Sequence, residues 1–123
     1  MEWTFRPDVP IYTQLVGRLT QQIVSGAIAP GEKMPSVREL AMDAGVNPNT
    51  VQRALAELER TGLVYSQRTS GRFVTEDAAR IACERETLAR QTAREFLAEM
   101  AQLGCGTEQS IALLEQMKEE KKP

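Results

Sequence analysis

The stretch MPSVRELAMDAGVNPNTVQRALAELERTGLV, residues 34–64, decides the fold. It reads as two short helices joined by a tight turn. Ser36 is placed to cap the first helix, with Glu39 three residues on to close a capping box. Leu40 and Ala41 give that helix an apolar face, and Gly45-Val46 turns the chain. Asn47 caps the second helix, Pro48 sits where proline is tolerated in a first turn, and Gly62 ends it. This is helix-turn-helix grammar, in which the second helix enters the DNA major groove by its N-terminal residues. Those residues here are Asn47, Asn49, Thr50, Gln52 and Arg53, hydrogen-bonding types at a helix start that a core would fill with Leu or Ala. Val51, Leu55 and Leu58 are expected to face the core, as are Leu40 and Val64. An ordinary helical hairpin with a polar solvent face would show the same pattern, so the flanking segments carry the decision.

Upstream, Pro10-Ile11-Tyr12 opens a first helix that is expected to run to about Ser25. Its apolar residues Leu15, Leu19, Ile23 and Val24 recur at helical spacing, and Gly26 stops it. Residues 27–31, AIAPG, make a turn, with Ile28 expected in the small core and at the start of a very short strand. Downstream of Gly62, Leu63-Val64-Tyr65-Ser66 alternates like a strand, residues 67–71 (QRTSG) form a polar turn, and Arg72-Phe73-Val74 returns. Such a hairpin is the wing of a winged helix-turn-helix. Its tip holds Arg68, Thr69, Ser70, Gly71 and Arg72, and two arginines flanking hydroxyl residues suit phosphate contact or insertion into the minor groove. A merely solvated hairpin tip would also be polar; the recognition helix beside it favours DNA.

The ordered series Pro10-Ile11-Tyr12, Gly26 to Pro30-Gly31, residues 34–41 (MPSVRELA), residues 45–51 (GVNPNTV) and Gly62-Leu63-Val64 resembles the DNA-binding domain of GntR-family bacterial transcription regulators. The resemblance covers residues 9 to 75 and keeps both motifs and intervals. It implies that Arg38, within the PSxRxLA segment that begins at Pro35-Ser36, contacts DNA together with Ser36. It implies the same for Asn47, Asn49 and Thr50 at the start of the recognition helix, for Gln52 and Arg53 one step along, and for residues 68–72 of the wing. Family wings commonly read Gly-x-Gly at the tip, whereas here Thr69 replaces the first glycine. Threonine does not readily take positive φ, so the wing is expected to bend differently. Chemically, Arg38 offers a planar fork of donors for guanine or phosphate. Asn47 and Asn49 suit adenine edges or, with the helix N-terminus, phosphate. Thr50 suits phosphate or a thymine methyl.

From Glu76 the chain reads as helix, TEDAARIACERETLARQTAREFLAEMAQLG, with no proline and no glycine before Gly104. Ile81, Leu88, Phe96, Met100 and Leu103 form an apolar stripe. Gly104-Cys105-Gly106 breaks it. Thr107 is expected to cap a second helix bearing Ile111, Leu113, Leu114 and Met117, ahead of a solvated EEKKP tail. Two helices of this size do not bury both faces alone. A pair of such hairpins from two chains would, so Ile81, Leu88, Phe96, Met100, Leu103, Ile111, Leu114 and Met117 are expected at a homodimer interface; folding back on the winged domain is the alternative. In length this tail resembles the YtrA-like subfamily, often linked to genes for ABC transporters, and is too short for a large effector domain.

The 123 residues hold one compact domain plus an appendage, here residues 1–75 and 76–123. The fold class expected is mainly α with a small β-hairpin wing: a winged helix-turn-helix followed by a C-terminal helical hairpin. The formal charge of −2 by itself opposes nucleic acid, but residues 1–75 carry a net +1 and residues 76–123 a net −3. A local basic surface governs binding. No stretch approaches the length of a membrane span, and the start MEWTFRPD lacks the regions of a secretory signal, so a cytoplasmic protein is expected. Cys83 and Cys105 lack zinc spacing and no histidine completes a site, so no metal and no cofactor is expected, and the cysteines read as thiols. With no glycine-rich phosphate loop and no nucleophile–base pair, an enzyme is not expected. The function expected is a sequence-specific transcriptional regulator, a homodimeric repressor on double-stranded operator DNA. The competing class is a winged-helix protein-interaction module docking through its tail. No small-molecule effector is named by the sequence; one would sit between subunits, near Phe96, Met100 and Met117.

Overall fold

A computed structural model describes residues 2–120. Its elements are α1 (Ile11–Val24), α2 (Val37–Ala44), α3 (Pro48–Arg60), β1 (Val64–Gln67), β2 (Gly71–Val74), α4 (Ala78–Gln102) and α5 (Thr107–Glu120). The architecture is mainly α with one two-stranded antiparallel wing. The chain divides into a compact unit running to Arg85 and a second one from Glu86 onward. Residues 121–123 of the expected solvated tail lie outside the described residues.

In the first unit α3 is the hub, packing against α1, α2 and β1. The reason is its periodicity: Val51, Ala54, Leu55 and Leu58 are buried along one face, opposite Leu15, Leu19 and Ile23 of α1 and Leu40 and Ala41 of α2. The helix ends follow local chemistry. Ser36 and Glu39 form the reciprocal capping box of α2, each side chain accepting from the other's backbone N–H. Asn47 Oδ1 accepts from Asn49 N at the start of α3. Gly62, with φ of 83°, terminates α3 in a Schellman arrangement: Gly62 N donates to Glu59 O and Leu63 N to Leu58 O. Leu63 is thereby spent on the helix end, and β1 starts one residue later than the sequence pattern predicts.

Three expectations are corrected. Ile28 is buried but starts no strand; its N–H bonds to Gln22 O, at the end of α1. The segment running beside β2 is instead residues 31–34, because Gly31 turns the chain at positive φ and Met34 N then donates to Arg72 O. Lys33 bridges to Phe73 in the same strip. Thr107 is not the cap of α5 but its first residue; the flanking Gly106 has its N–H accepted by Gln109, so a side chain one turn on does the capping. The start of α4 is moved as well: Asp77 caps it by accepting from Arg80 N, and the helix begins at Ala78 rather than Glu76.

Two arginines of α4 close helix ends within the first unit. Arg80 Nε donates to Thr61 O beyond α3, and Arg85 Nε to Val24 O at the last residue of α1. Both neutralise carbonyls that a helix leaves open and place a cation at the negative end of its dipole. Ile81 is buried between these contacts in the same unit.

In the second unit α4 ends in another Schellman turn, with Cys105 N bonded to Met100 O and Gly104 N to Ala101 O. Ser110 is fully buried with its hydroxyl donating to Gly106 O. Within this unit α4 and α5 make few contacts with each other. Leu103 is 76% exposed, and Ile111, Leu113, Leu114 and Met117 are between 41% and 48% exposed. Met100 is buried and Phe96 is half-buried. No helix among the described residues is long and apolar enough to cross a membrane.

Candidate nucleic-acid interface

The expected contact residues fall on three pieces of backbone: the N-terminus of α2, the first two turns of α3, and the hairpin. Ten of them are exposed, while Thr50 and Arg72 are half-buried. Asn49, Thr50 and Arg53 share a groove of about 390 Å³ with Pro10, Ile11 and Tyr12 at the start of α1. Ser36, Thr69, Ser70, Gly71 and Arg72 share a cleft of about 220 Å³ with Lys33, Met34, Pro35 and Val37. Arg38, Asn47, Gln52 and Arg68 line neither. The cleft exists because residues 31–34 are stitched to β2, which holds the base of the wing against the entry to α2.

Ion pairing separates the basic residues of the first unit. Arg6 is paired with Asp8, Arg60 with Glu57, Arg72 with Glu59 and Arg80 with Glu84. Lys33, Arg38, Arg53 and Arg68 form no ion pair among the described residues. These four stand before α2, on α2, on α3 and at the wing tip. Arg18 on α1 and Arg85 on α4 form none either, and instead donate to Gln21 and to the Val24 carbonyl. The near-neutral domain thus places four cations outside any ion pair on the elements that a winged helix presents to DNA.

Arg53 is held without being consumed. Its guanidinium carbon lies 3.6 Å from the centroid of the Tyr12 ring, a cation–π stack that occupies the guanidinium's face. The in-plane N–H donors stay available for a base edge or a phosphate. Arg72 is the opposite case. It lies in β2 rather than at the tip, and its Nε donates to Glu59 Oε1 at 2.6 Å. Ser66 Oγ donates to the same oxygen. The Ser66 hydroxyl first, and the Arg72 guanidinium second, hold the Glu59 carboxyl below its ordinary pKa. Glu39 is lowered likewise, chiefly by the Ser36 backbone N–H.

The wing turn is Arg68, Thr69 and Ser70, closed by Ser70 N donating to Gln67 O. Thr69 keeps negative φ, and the positive φ falls on Gly71, at 104°. A Cβ on Gly71 would meet Lys33 Cε at 3.0 Å, so the lysine stem lies across this glycine. Three residues escaped the sequence reading: Tyr12, Lys33 and Glu59. In sequence Tyr12 marks only a helix start. Lys33 and Glu59 carry no motif; their roles depend on a strand pairing and a helix–hairpin contact between residues distant in sequence.

Neither Cys83 nor Cys105 is in a disulfide, and no group of side chains among the described residues is arranged to hold a metal ion.

Three helices with a hairpin wing, and open cations on α2, α3 and that wing, define a winged helix-turn-helix DNA-binding protein. The chain belongs to the gntR family of bacterial regulatory proteins, whose pattern matches residues 11–74, more than half its length. It is 36% identical to the HTH-type transcriptional regulator YhcF of Bacillus subtilis (strain 168), over 90% of this chain and 92% of that protein. It is 42% identical to the HTH-type transcriptional repressor YtrA of the same organism, over 59% of this chain and 56% of that protein. Among solved structures it is similar to a GntR family transcriptional regulator from Listeria monocytogenes, with a TM-score of 0.82 and 42% identity, covering 91% of this chain and 98% of that one. A DNA-binding domain of AraR in complex with operator ORX1 matches at a TM-score of 0.57 and 31% identity, over 61% of this chain and 96% of that one. The chain is therefore a GntR-family, DNA-binding transcriptional regulator; its family and relatives are regulators rather than enzymes.

Proposed function

We propose that the chain acts as a homodimeric, sequence-specific repressor on a roughly palindromic operator, with residues 1–75 as the reader and 76–123 as the pairing tail. The observation that carries it is the placement of Lys33, Arg38, Arg53 and Arg68, which form no ion pair among the described residues, while neighbouring arginines are neutralised. Arg38 and Arg53 supply bidentate donors for base edges, with Asn47, Asn49, Thr50 and Gln52 beside them. Ser36, Arg68, Thr69, Ser70 and Gly71 contact the backbone or the minor groove. Pairing is supported by Leu103, Ile111, Leu113, Leu114 and Met117, apolar side chains that one chain leaves exposed. Half-buried Leu88 and Phe96 extend that face, whereas Ile81 and Met100 are already covered within a single chain. Two-fold pairing presents two recognition helices, one for each half-site. The repressor reading accords with the name of the YtrA relative. A transporter operon is the expected target on the YtrA-like resemblance alone, and the cytoplasm the expected compartment.

The test is selection of bound duplexes from the source genome, followed by titration of the selected and a scrambled duplex at increasing salt, with molar mass measured by light scattering. A dimer that holds the selected duplex at salt concentrations that release the scrambled one is expected. Equal loss of both duplexes refutes sequence-specific reading. A monomeric Leu114→Glu, Met117→Glu protein with undiminished affinity for the selected duplex refutes the paired reader.

A further inference from the structure

We infer that Glu59, on the last turn of α3, is the positioning residue that sets the wing relative to the recognition helix, and that Arg72 serves this grip rather than DNA. The inference rests on the reading of the wing as a DNA-contacting element. Ser66 and Arg72 stand directly opposite one another in the hairpin register. One carboxylate oxygen of Glu59 accepts from both, so a single side chain on α3 holds both strands at the same rung. That rung is next to the last pair, Gln67 with Gly71, beyond which only Arg68, Thr69 and Ser70 project. The angle of the tip is therefore fixed at its root.

A two-stranded hairpin has little stability of its own and takes its orientation from what it packs on. Here the far edge of β2 is held by backbone bonds with residues 31, 32 and 34. On the α3 side the polar hold is the Glu59 grip, a charge-assisted pair with both side chains partly buried, 21% exposed for Arg72 and 32% for Glu59. Because the anchor lies on the same helix as Asn49, Thr50 and Arg53, major-groove and wing contacts share one rigid reference.

The sign of the effect distinguishes this role from simple electrostatics. Removing a carboxylate near bound DNA relieves repulsion and frees a guanidinium, and both changes favour tighter binding. Weaker binding on losing Glu59 therefore reports lost wing geometry. The full-length protein, its Glu59→Ala, Glu59→Gln and Arg68→Ala variants and the Glu59→Ala/Arg68→Ala double variant are titrated with the tightest duplex that the parent recovers from a random pool. Glu59→Ala is expected to weaken binding about fivefold, with a smaller loss for Glu59→Gln, which keeps the shape and an acceptor oxygen. In the Arg68→Ala background, where the tip contact is already gone, Glu59→Ala costs nothing further. Trypsin is expected to cut after Arg68 faster in Glu59→Ala, while Glu59→Gln lowers the melting temperature at neutral pH by only about a degree or two. Unchanged or tighter binding by both Glu59 variants, or losses that multiply in the double variant, overturns the inference. Arg68→Ala with parental affinity overturns the wing-contact reading itself, and the inference with it.

Discussion

Arg53 on α3 stacks its guanidinium 3.6 Å from the ring centroid of Tyr12 on α1. The pair links the helix proposed to read DNA to the first helix of the domain, across the groove lined by Asn49 and Thr50. Stacking restrains a long side chain while leaving its hydrogen-bonding edge open, which lowers the entropy lost when that edge meets a base. Tyr12→Leu is thus expected to weaken binding to the selected duplex about two- to fivefold, and Tyr12→Phe to retain it, since the ring face survives. Fluorescence anisotropy with both variants checks this; equal loss in the two would trace the effect to the hydroxyl.

The unpaired cations predict a specific salt response. Arg68→Ala and Lys33→Ala should each lower the slope of log K against log salt by about one, the signature of a lost phosphate contact. Arg60→Ala should leave the slope unchanged, because Glu57 already neutralises that guanidinium. Titrations at several salt concentrations decide it, and a reduced slope for Arg60→Ala would contradict the division between paired and open cations.

Arg38 and Leu55 should separate binding from stability. Arg38 is exposed and pairs with no acid among the described residues, so Arg38→Ala is expected to weaken duplex binding with a melting shift under about 2 °C. Leu55 is fully buried on α3, and Leu55→Ala is expected to cost about 2–5 kcal/mol of stability through lost burial and the cavity left behind. Chemical denaturation alongside anisotropy tests both. A destabilised Arg38→Ala protein would return that arginine to a structural role.

Acid should loosen the domain in a defined window. Glu39, Glu57 and Glu59 all lie below their ordinary pKa, because Ser36, Arg60 and Ser66 with Arg72 respectively donate to them. A carboxylate lowered on folding contributes stability that is complete above its unfolded value, about 4.3 for Glu, and is lost as pH falls through the folded value. Thermal melts are therefore expected to hold their midpoint from neutrality to about pH 5 and to fall below it, less steeply in Glu59→Gln. A midpoint equally steep in that variant would remove Glu59 from the acid response.

The three-helix domain with its wing was legible because its signals are local. Ser36 with Glu39, Asn47 with Pro48, and Gly62 each act within a turn or two of backbone, and helical spacing names Leu15, Leu19, Val51 and Leu55 as core. Such signals fade at boundaries. Gly106 rather than Thr107 precedes α5, and the bond at this end is made by the Gln109 side chain, which accepts from the Gly106 N–H. Ile28 is buried without being a strand, since burial and strand pairing answer to different neighbours.

By itself, then, the sequence determined the ends of α2 and α3, the hairpin, the core faces of the first unit and the polar start of α3, all set by chemistry between residues close along the chain. Arg60 with Glu57 and Arg80 with Glu84 pair within a single helical turn, but only the tertiary structure decided which wing arginine is spent and which stays open. Arg72 and Arg68 are alike in sequence, four residues apart on one hairpin, yet Glu59 of α3 reaches the first and no acid among the described residues pairs with the second. Tyr12 and Lys33 gain their places in the same way, beside Arg53 and Gly71. The physical reason is range: caps and periodicity act over one or two turns, whereas an ion pair forms wherever packing brings opposite charges within a few ångströms, at any separation in sequence.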